Sequence, residues 1–268
     1  MEELRLSGYR EPLGLWTRRL PPSEHAPDLR VLAFEYSSRG DRAAGRLWIP
    51  KRPEGECPLI LLQPGNGGGI ARALPGLAAD WALRGAAVAC VDLPLQATRA
   101  DPKLTELVGT PFEPGTLAEA EALRFELLRQ AVIDLERALD VLCGLDGIDP
   151  ERIGYGGLGL GAMLGAIFCG LDPRPRAAAL AGAGADLAPS PLDPGSYVGR
   201  FPPRPLLLIH ADGDPRISRA SAEALGRAAG QRAEQRWLAA GDDDWPRNAV
   251  DAIWSFLADA LDIEGPEP

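Results

Sequence analysis

The sequence predicts an α/β chain: a doubly wound, mostly parallel sheet entered through an N-terminal antiparallel hairpin. Three observations carry this expectation. Runs such as PLILLQ (58–63), AAVACVDLP (86–94) and PLLLIHADGD (205–214) are apolar with little alternation, as strands are when helices cover both faces of a parallel sheet. Stretches with an apolar stripe at helical spacing separate them, so strand and helix alternate. Ahead of that alternation, VLAFEYSS (31–38) and RLWIP (46–50) flank the turn-forming RGDRAAG, the pattern of a hairpin at a sheet edge.

Taken in order, residues 1–28 are polar and punctuated by Pro12, Pro21, Pro22 and Pro27. They read as an N-terminal arm over a single domain spanning 29–268, with regular structure starting only after the arm. The strand 58–63 runs into the glycine-rich PGNGGG, which lacks the Lys-Ser/Thr of a phosphate-binding loop and the spacing of a dinucleotide-binding turn. A helix with Leu77 and Trp81 on one face stops before Gly85, and the next strand ends in Asp92. Residues 100–115 read as a loop. Thr116 and Glu119 form a capping box for a helix whose stripe is Leu128, Val132, Leu135, Leu139 and Leu142.

RIGYGGLGLGAMLG (152–165) then compresses a buried strand, a tight turn and the opening of a helix into one short stretch. AAALAGAG (177–184) is a strand of small residues, and the proline-rich 185–204 is irregular and too short for a large cap domain. After the strand 205–214, Ser218 caps a helix to about Gly230, and QRWLAA (235–240) is polar enough for a sheet edge. The last helix carries Pro246 in its first turn and buries Val250, Ile253, Trp254, Leu257 and Leu261.

Composition bounds the function. With 268 residues, 46% apolar and 25% charged, the chain fits one large α/β domain. A formal charge of −10 offers no basic surface to displace counterions, which argues against nucleic acid and anionic membrane as partners. Cys57, Cys90, Cys143 and Cys169 include no C-x-x-C pair and read as thiols, not disulfides or metal ligands; no metal and no cofactor is expected. The opening MEELRLSGYREPLG has neither a basic start nor an apolar run, and no stretch reaches transmembrane length, so the expected location is cytoplasmic.

The chemistry centres on Gly157, Gly159 and Gly161. A sharp strand-to-helix turn forces its middle residue into a strained conformation and brings backbones close, which suits glycines at alternate positions. The spacing is that of G-x-S-x-G with a glycine at the centre. On these residues the chain resembles the α/β-hydrolase superfamily, and within it the dienelactone-hydrolase and acyl-peptidase-like esterases, over most of its length. The resemblance places Gly159 where the nucleophile belongs, and the N–H groups of Leu160 and Asn66 at the oxyanion hole, with Pro64 in place of the family's histidine. Asp214, in HADGD, takes the position of the triad acid. Asp242, Asp243 and Asp244 span the position of the triad histidine. DLPLQATR keeps Arg99 of the family's D-L-P-x-H-G-x-R but has Gln96 for histidine and Ala97 for glycine. Gln96, Arg99, His210 and Trp245 are the further candidates for the cleft.

The chain has two histidines, His25 and His210, and none follows Asp214. Acyl transfer by this arrangement requires an activated hydroxyl or thiol and an imidazole that takes and returns its proton. The expectation is a non-hydrolytic pseudoenzyme whose cleft takes a small molecule or whose surface takes a protein partner. The alternative is an enzyme using Asp214 or His210 as a non-standard acid or base beside the oxyanion donors. The three aspartates carry two readings: acidic residues favoured in the first turn of the last helix, or ligands with Asp212 and Asp214 for a hard cation.

Overall fold

The computed structural model describes residues 10–21, 26–51, 55–65, 68–109, 115–117, 119–187, 191–239 and 245–263. Its strands are β1 (Trp16–Leu20), β2 (Leu29–Ser38), β3 (Asp41–Pro50), β4 (Cys57–Gln63), β5 (Ala87–Asp92), β6 (Ile148–Leu158), β7 (Pro175–Ala181), β8 (Leu206–Ala211) and β9 (Glu234–Leu238). The helices are α1 (Gly68–Leu83), α2 (Pro102–Val108), α3 (Glu121–Leu142), α4 (Leu160–Leu171), the single turn α5 (Gly195–Val198), α6 (Arg219–Ala229) and α7 (Trp245–Ala260).

The strands form one sheet in the order β1-β2-β3-β5-β4-β6-β7-β8-β9. β1, β2, β3 and β5 pair antiparallel, and from β5 through β4 to β9 every neighbour is parallel. The expected doubly wound sheet with its N-terminal hairpin is therefore present. All seven residues of β4 are buried, as its unbroken apolar run requires. The core lies in two layers. One holds Leu59, Leu61, Leu135, Leu139, Leu164, Leu208 and Leu225 on the α3, α4 and α6 side, and the other holds Ile60, Leu62, Trp81, Ile209, Ile253 and Leu257 on the α1 and α7 side.

Four sequence expectations are corrected. Regular structure begins inside the arm, because β1 pairs with β2 from Trp16 opposite Glu35 to Leu20 opposite Val31. The arm also straps the hairpin: Ser37 donates its N–H to the Leu13 carbonyl at 2.6 Å, and the Glu11 carboxylate accepts the N–H groups of Arg39 and Gly40. The hairpin turn is only Arg39 and Gly40, both at positive φ (52° and 78°), so RGDRAAG belongs mostly to β3. The loop 100–115 contains α2, opened by Asp101, whose carboxylate accepts the Leu104 N–H at 2.9 Å, and by Pro102 at its first position. Thr116 does not cap α3. Its hydroxyl donates to the Glu106 carbonyl at 3.2 Å, and α3 starts later, after Ala120.

None of the four cysteines is in a disulfide; Cys143 is half-buried and the others are buried. Among the described residues no helix is long and apolar enough to cross a membrane.

Candidate functional site

The strand-to-helix turn stands where the sequence puts it. β6 ends at Leu158, α4 starts at Leu160, and between them Gly159 takes φ 53° and ψ −116°, a conformation that costs an L-residue strain. Its N–H donates to the Ala181 carbonyl at 2.8 Å, and its carbonyl accepts from Ala162 and Met163 at 3.0 Å each. The turn is thus tied to β7 on one side and to the first turn of α4 on the other.

The three glycines are not equivalent. A Cβ on Gly157 would sit 2.6 Å from the Gly161 carbonyl oxygen and 2.7 Å from the Ala162 Cα. On Gly161 it would lie 2.7 Å from the carbonyl carbon of Gln63, with that carbonyl's oxygen closer still. These two glycines let α4 and β4 come together. On Gly159 the nearest atom is the Gly65 Cα at 3.5 Å, ordinary contact distance. Among the described residues, nothing crowds a Cβ at the central position, which carries none.

Tyr155 buttresses the turn from within the core: its fully buried hydroxyl donates to the Gly161 carbonyl at 2.6 Å. Tyr155→Phe is expected to lower stability by about 1 kcal/mol, read as a lower urea midpoint with an unchanged slope.

Leu160 is the first residue of α4, so its N–H has no partner within the helix and is free to face an oxyanion above Gly159. Gly65 lies against this point, a Cβ built on it falling 3.7 Å from the Leu160 nitrogen. Asn66, the other expected donor, lies outside the described residues, as do Asp242, Asp243, Asp244 and the side chain of Trp245.

Asp214 is half-buried at the carboxyl end of β8, with its Oδ1 accepting the N–H groups of Arg216 at 2.8 Å and Ile217 at 3.1 Å. Its carboxylate shapes the loop into α6. Asp212 pairs with Arg219 at 2.8 Å. Among the described residues no group of three or more His, Cys, Asp or Glu side chains is placed to hold a metal ion.

Two of the cleft candidates are held by other parts of the fold. Arg99 is committed to other parts of the chain, its Nη1 donating to Asp134 Oδ2 at 2.6 Å and to the Asp92 carbonyl at 3.2 Å, and its Nη2 to Asp41 at 2.5 Å. Asp134 is wholly buried and also accepts from Gln130 at 2.7 Å. Burial pushes the Asp134 carboxyl above its ordinary range, against the pull of the Arg99 guanidinium. His210 is 2% exposed and packs on Trp237 with ring centroids 4.8 Å apart. Neither of its ring nitrogens has a hydrogen-bond partner, and burial lowers its pKa from the ordinary 6.5.

Gln96 precedes the 3-10 turn Ala97–Arg99 and is half-buried. It is flanked by Leu95 and Ala97, both at positive φ (63° and 45°), so the loop holds a strained path where the resembled family has a glycine. The Asp92 carboxylate closes this loop by accepting from the Thr98 hydroxyl at 2.6 Å.

The sequence reading missed Asp134, Gln130 and the Tyr155 hydroxyl. A signal for the first two was present: a carboxylate and an amide four residues apart beside the apolar stripe of a core helix.

No protein-family model matches the sequence, and no curated protein is similar to it by sequence. Solved structures are similar in shape. A cold-adapted esterase from an Arctic intertidal metagenomic library superposes with a TM-score of 0.65 at 17% identity, over 91% of this chain and 99% of that one. An acetyl xylan esterase from Paenibacillus sp. R4 does so at 0.67 and 17%, over 91% and 89%. A protein assigned as a dienelactone hydrolase from Klebsiella pneumoniae does so at 0.64 and 15%, over 87% and 98%. Likeness at these identities is one of fold, and the fold of this chain is that of the α/β-hydrolases.

Proposed function

We infer that this chain is an α/β-hydrolase-fold protein that does not hydrolyse esters, and that from β1 onward it serves as a single domain without a large cap, offering a small-molecule cleft above Gly159 or a surface for a protein partner. The observation that carries the reading is Gly159 itself, at φ 53° in the centre of the turn, with no side chain to serve as nucleophile. Two facts support it. No histidine follows Asp214 in the sequence, and His210 is packed in the core against Trp237. Loss of either nucleophile or base in a serine hydrolase costs about 10⁶ in turnover, roughly 8 kcal/mol of transition-state stabilisation. An intact oxyanion hole together with substrate binding accounts for only about 10³-fold over water in such hydrolases. The four cysteines, none in a disulfide, are in keeping with a reducing compartment such as the cytoplasm.

Assay against p-nitrophenyl esters and thioesters is expected to give no saturable turnover, and Gly159→Ser alone is expected to restore none because the base is still missing. Turnover on the order of 1 s⁻¹ in either protein would overturn the reading. A thermal-shift screen with small carboxylic acids and lactones separates the two binding modes, since a ligand that prefers the folded state raises the melting temperature. A shift assigns the cleft to a small molecule, and its absence moves the search to co-purifying proteins.

A further inference from the structure

His210 and Trp237 face each other across β8 and β9 one residue before the ends of both strands. The loop carrying Asp212 and Asp214 leaves from one strand, and the residues leading to Asp242 leave from the other. Trp237 is shared. The His210 ring stacks on it at 4.8 Å and 40°, and the Arg219 guanidinium of α6 lies 4.5 Å from its centroid. The imidazole is 98% hidden and both nitrogens lack partners, so it sits there as an apolar slab.

The charges around it are accounted for on the described elements. Arg219 pairs with Asp212 and Glu223, Asp214 is bonded to the Arg216 and Ile217 N–H groups, and Arg236 pairs with Glu234 on β9. β7 contributes Ala181 and no charge beside this strand end. No carboxylate is held against either ring nitrogen.

We propose that the His210–Trp237 pair is an acid-released clasp: the neutral imidazole closes the ends of β8 and β9, and a proton taken from water opens them and loosens the loop that follows β8. A protonated ring here has two N–H donors and a charge with no acceptor, in a stack that already holds the Arg219 cation. The open form solvates that charge, so acid favours it. The sign follows from linkage. The closed ring is the weaker base, so closure is complete above the ordinary histidine value of about 6.5 and is lost as pH falls toward the closed-state value, with the open fraction rising at most about tenfold per pH unit. The release concerns the scaffold and stands whether or not the cleft binds a ligand.

The test uses the full chain. With His25→Gln, one histidine remains, and its ring proton resonance reports His210 directly. The expected midpoint lies below 6.5, and the Trp237 fluorescence, taken as the difference between the parent and Trp237→Phe, is expected to change with the same midpoint. Protection of the Asp212 amide, which bonds to the Leu238 carbonyl at 3.0 Å, is expected to fall in the same range after correction for intrinsic exchange. His210→Phe keeps the stack and is expected to abolish the fluorescence and exchange responses. A His210 resonance titrating at or above 6.5, a flat Trp237 signal, or the same response in His210→Phe would overturn the proposal. Should His210→Phe not fold, unequal midpoints for His210 and Trp237 in the parent have the same consequence.

Discussion

Gly161→Ala is expected to destabilise the protein by at least about 3 kcal/mol, a large share of the roughly 5–15 kcal/mol that holds a domain of this kind together. The added carbon would meet Gln63 at the end of β4: its carbonyl carbon at 2.7 Å and its Cβ at 2.8 Å, with the carbonyl oxygen nearer. Neither partner is the free end of a flexible side chain. β4 is the buried strand between β5 and β6, and ten of the twelve residues of α4 are buried, so relief requires separating two central elements. Gly157→Ala meets the Gly161 carbonyl in the same way and is expected to behave alike. Gly159→Ala is the contrast. Its new Cβ has 3.5 Å of clearance, and the cost is that of an L-residue at φ 53°, about 1–2 kcal/mol. Urea unfolding of the three variants reads the difference, and equal stabilities at 159 and 161 would show that α4 and β4 are not packed as described.

That asymmetry explains why the turn was legible in the sequence. Glycines at 157 and 161 are demanded by packing whatever happens at 159, so the spacing survives without a side chain at its centre. β4, β5 and β8 were legible for a related reason: burial on both faces leaves no room for a polar residue until the strand end. β1 was not, because Trp16 to Arg19 are exposed and the strand is held by backbone pairing, which leaves no side-chain pattern. α2 was obscured by its length of seven residues with one buried, too few for a stripe. Thr116 and Glu119 misled because a capping-box spacing does not say which carbonyl or N–H the threonine will find, and it found Glu106. Arg99 was legible as a position and not as a role. Its main partner, Asp134, is 35 residues on, and only the folded sheet brings α3 behind the loop.

Arg99→Ala is therefore expected to be a stability variant and not a binding variant, with a loss of about 3–5 kcal/mol at neutral pH. The guanidinium side chain is 12% exposed and the Asp134 carboxylate is not exposed at all, so removal of the cation strands a buried anion. The remaining Gln130 amide donates to the other oxygen of Asp134 and supplies no charge. Burial already raises the Asp134 carboxyl, and Arg99 is the strongest opposing influence. Without it the folded-state value climbs further above the unfolded value of about 3.9, so the contribution of this group is intact below that value and lost as pH rises through the folded one. The deficit of Arg99→Ala against its parent is accordingly expected to be small near pH 4 and largest at neutrality. Arg99→Lys is expected to recover little, because one ammonium cannot fork between Asp134 and Asp41 as the two Nη groups do. Pairing Arg99→Met with Asp134→Leu is expected to recover much of the loss, since the desolvated charge leaves with its partner. A deficit under about 1 kcal/mol, or one that does not change between pH 4 and 7, would mean that the pair is solvated and that Arg99 is available to the cleft. A buried pair also has a local consequence: the strained path through Leu95 and Ala97 is anchored to α3 through Arg99 and Asp134.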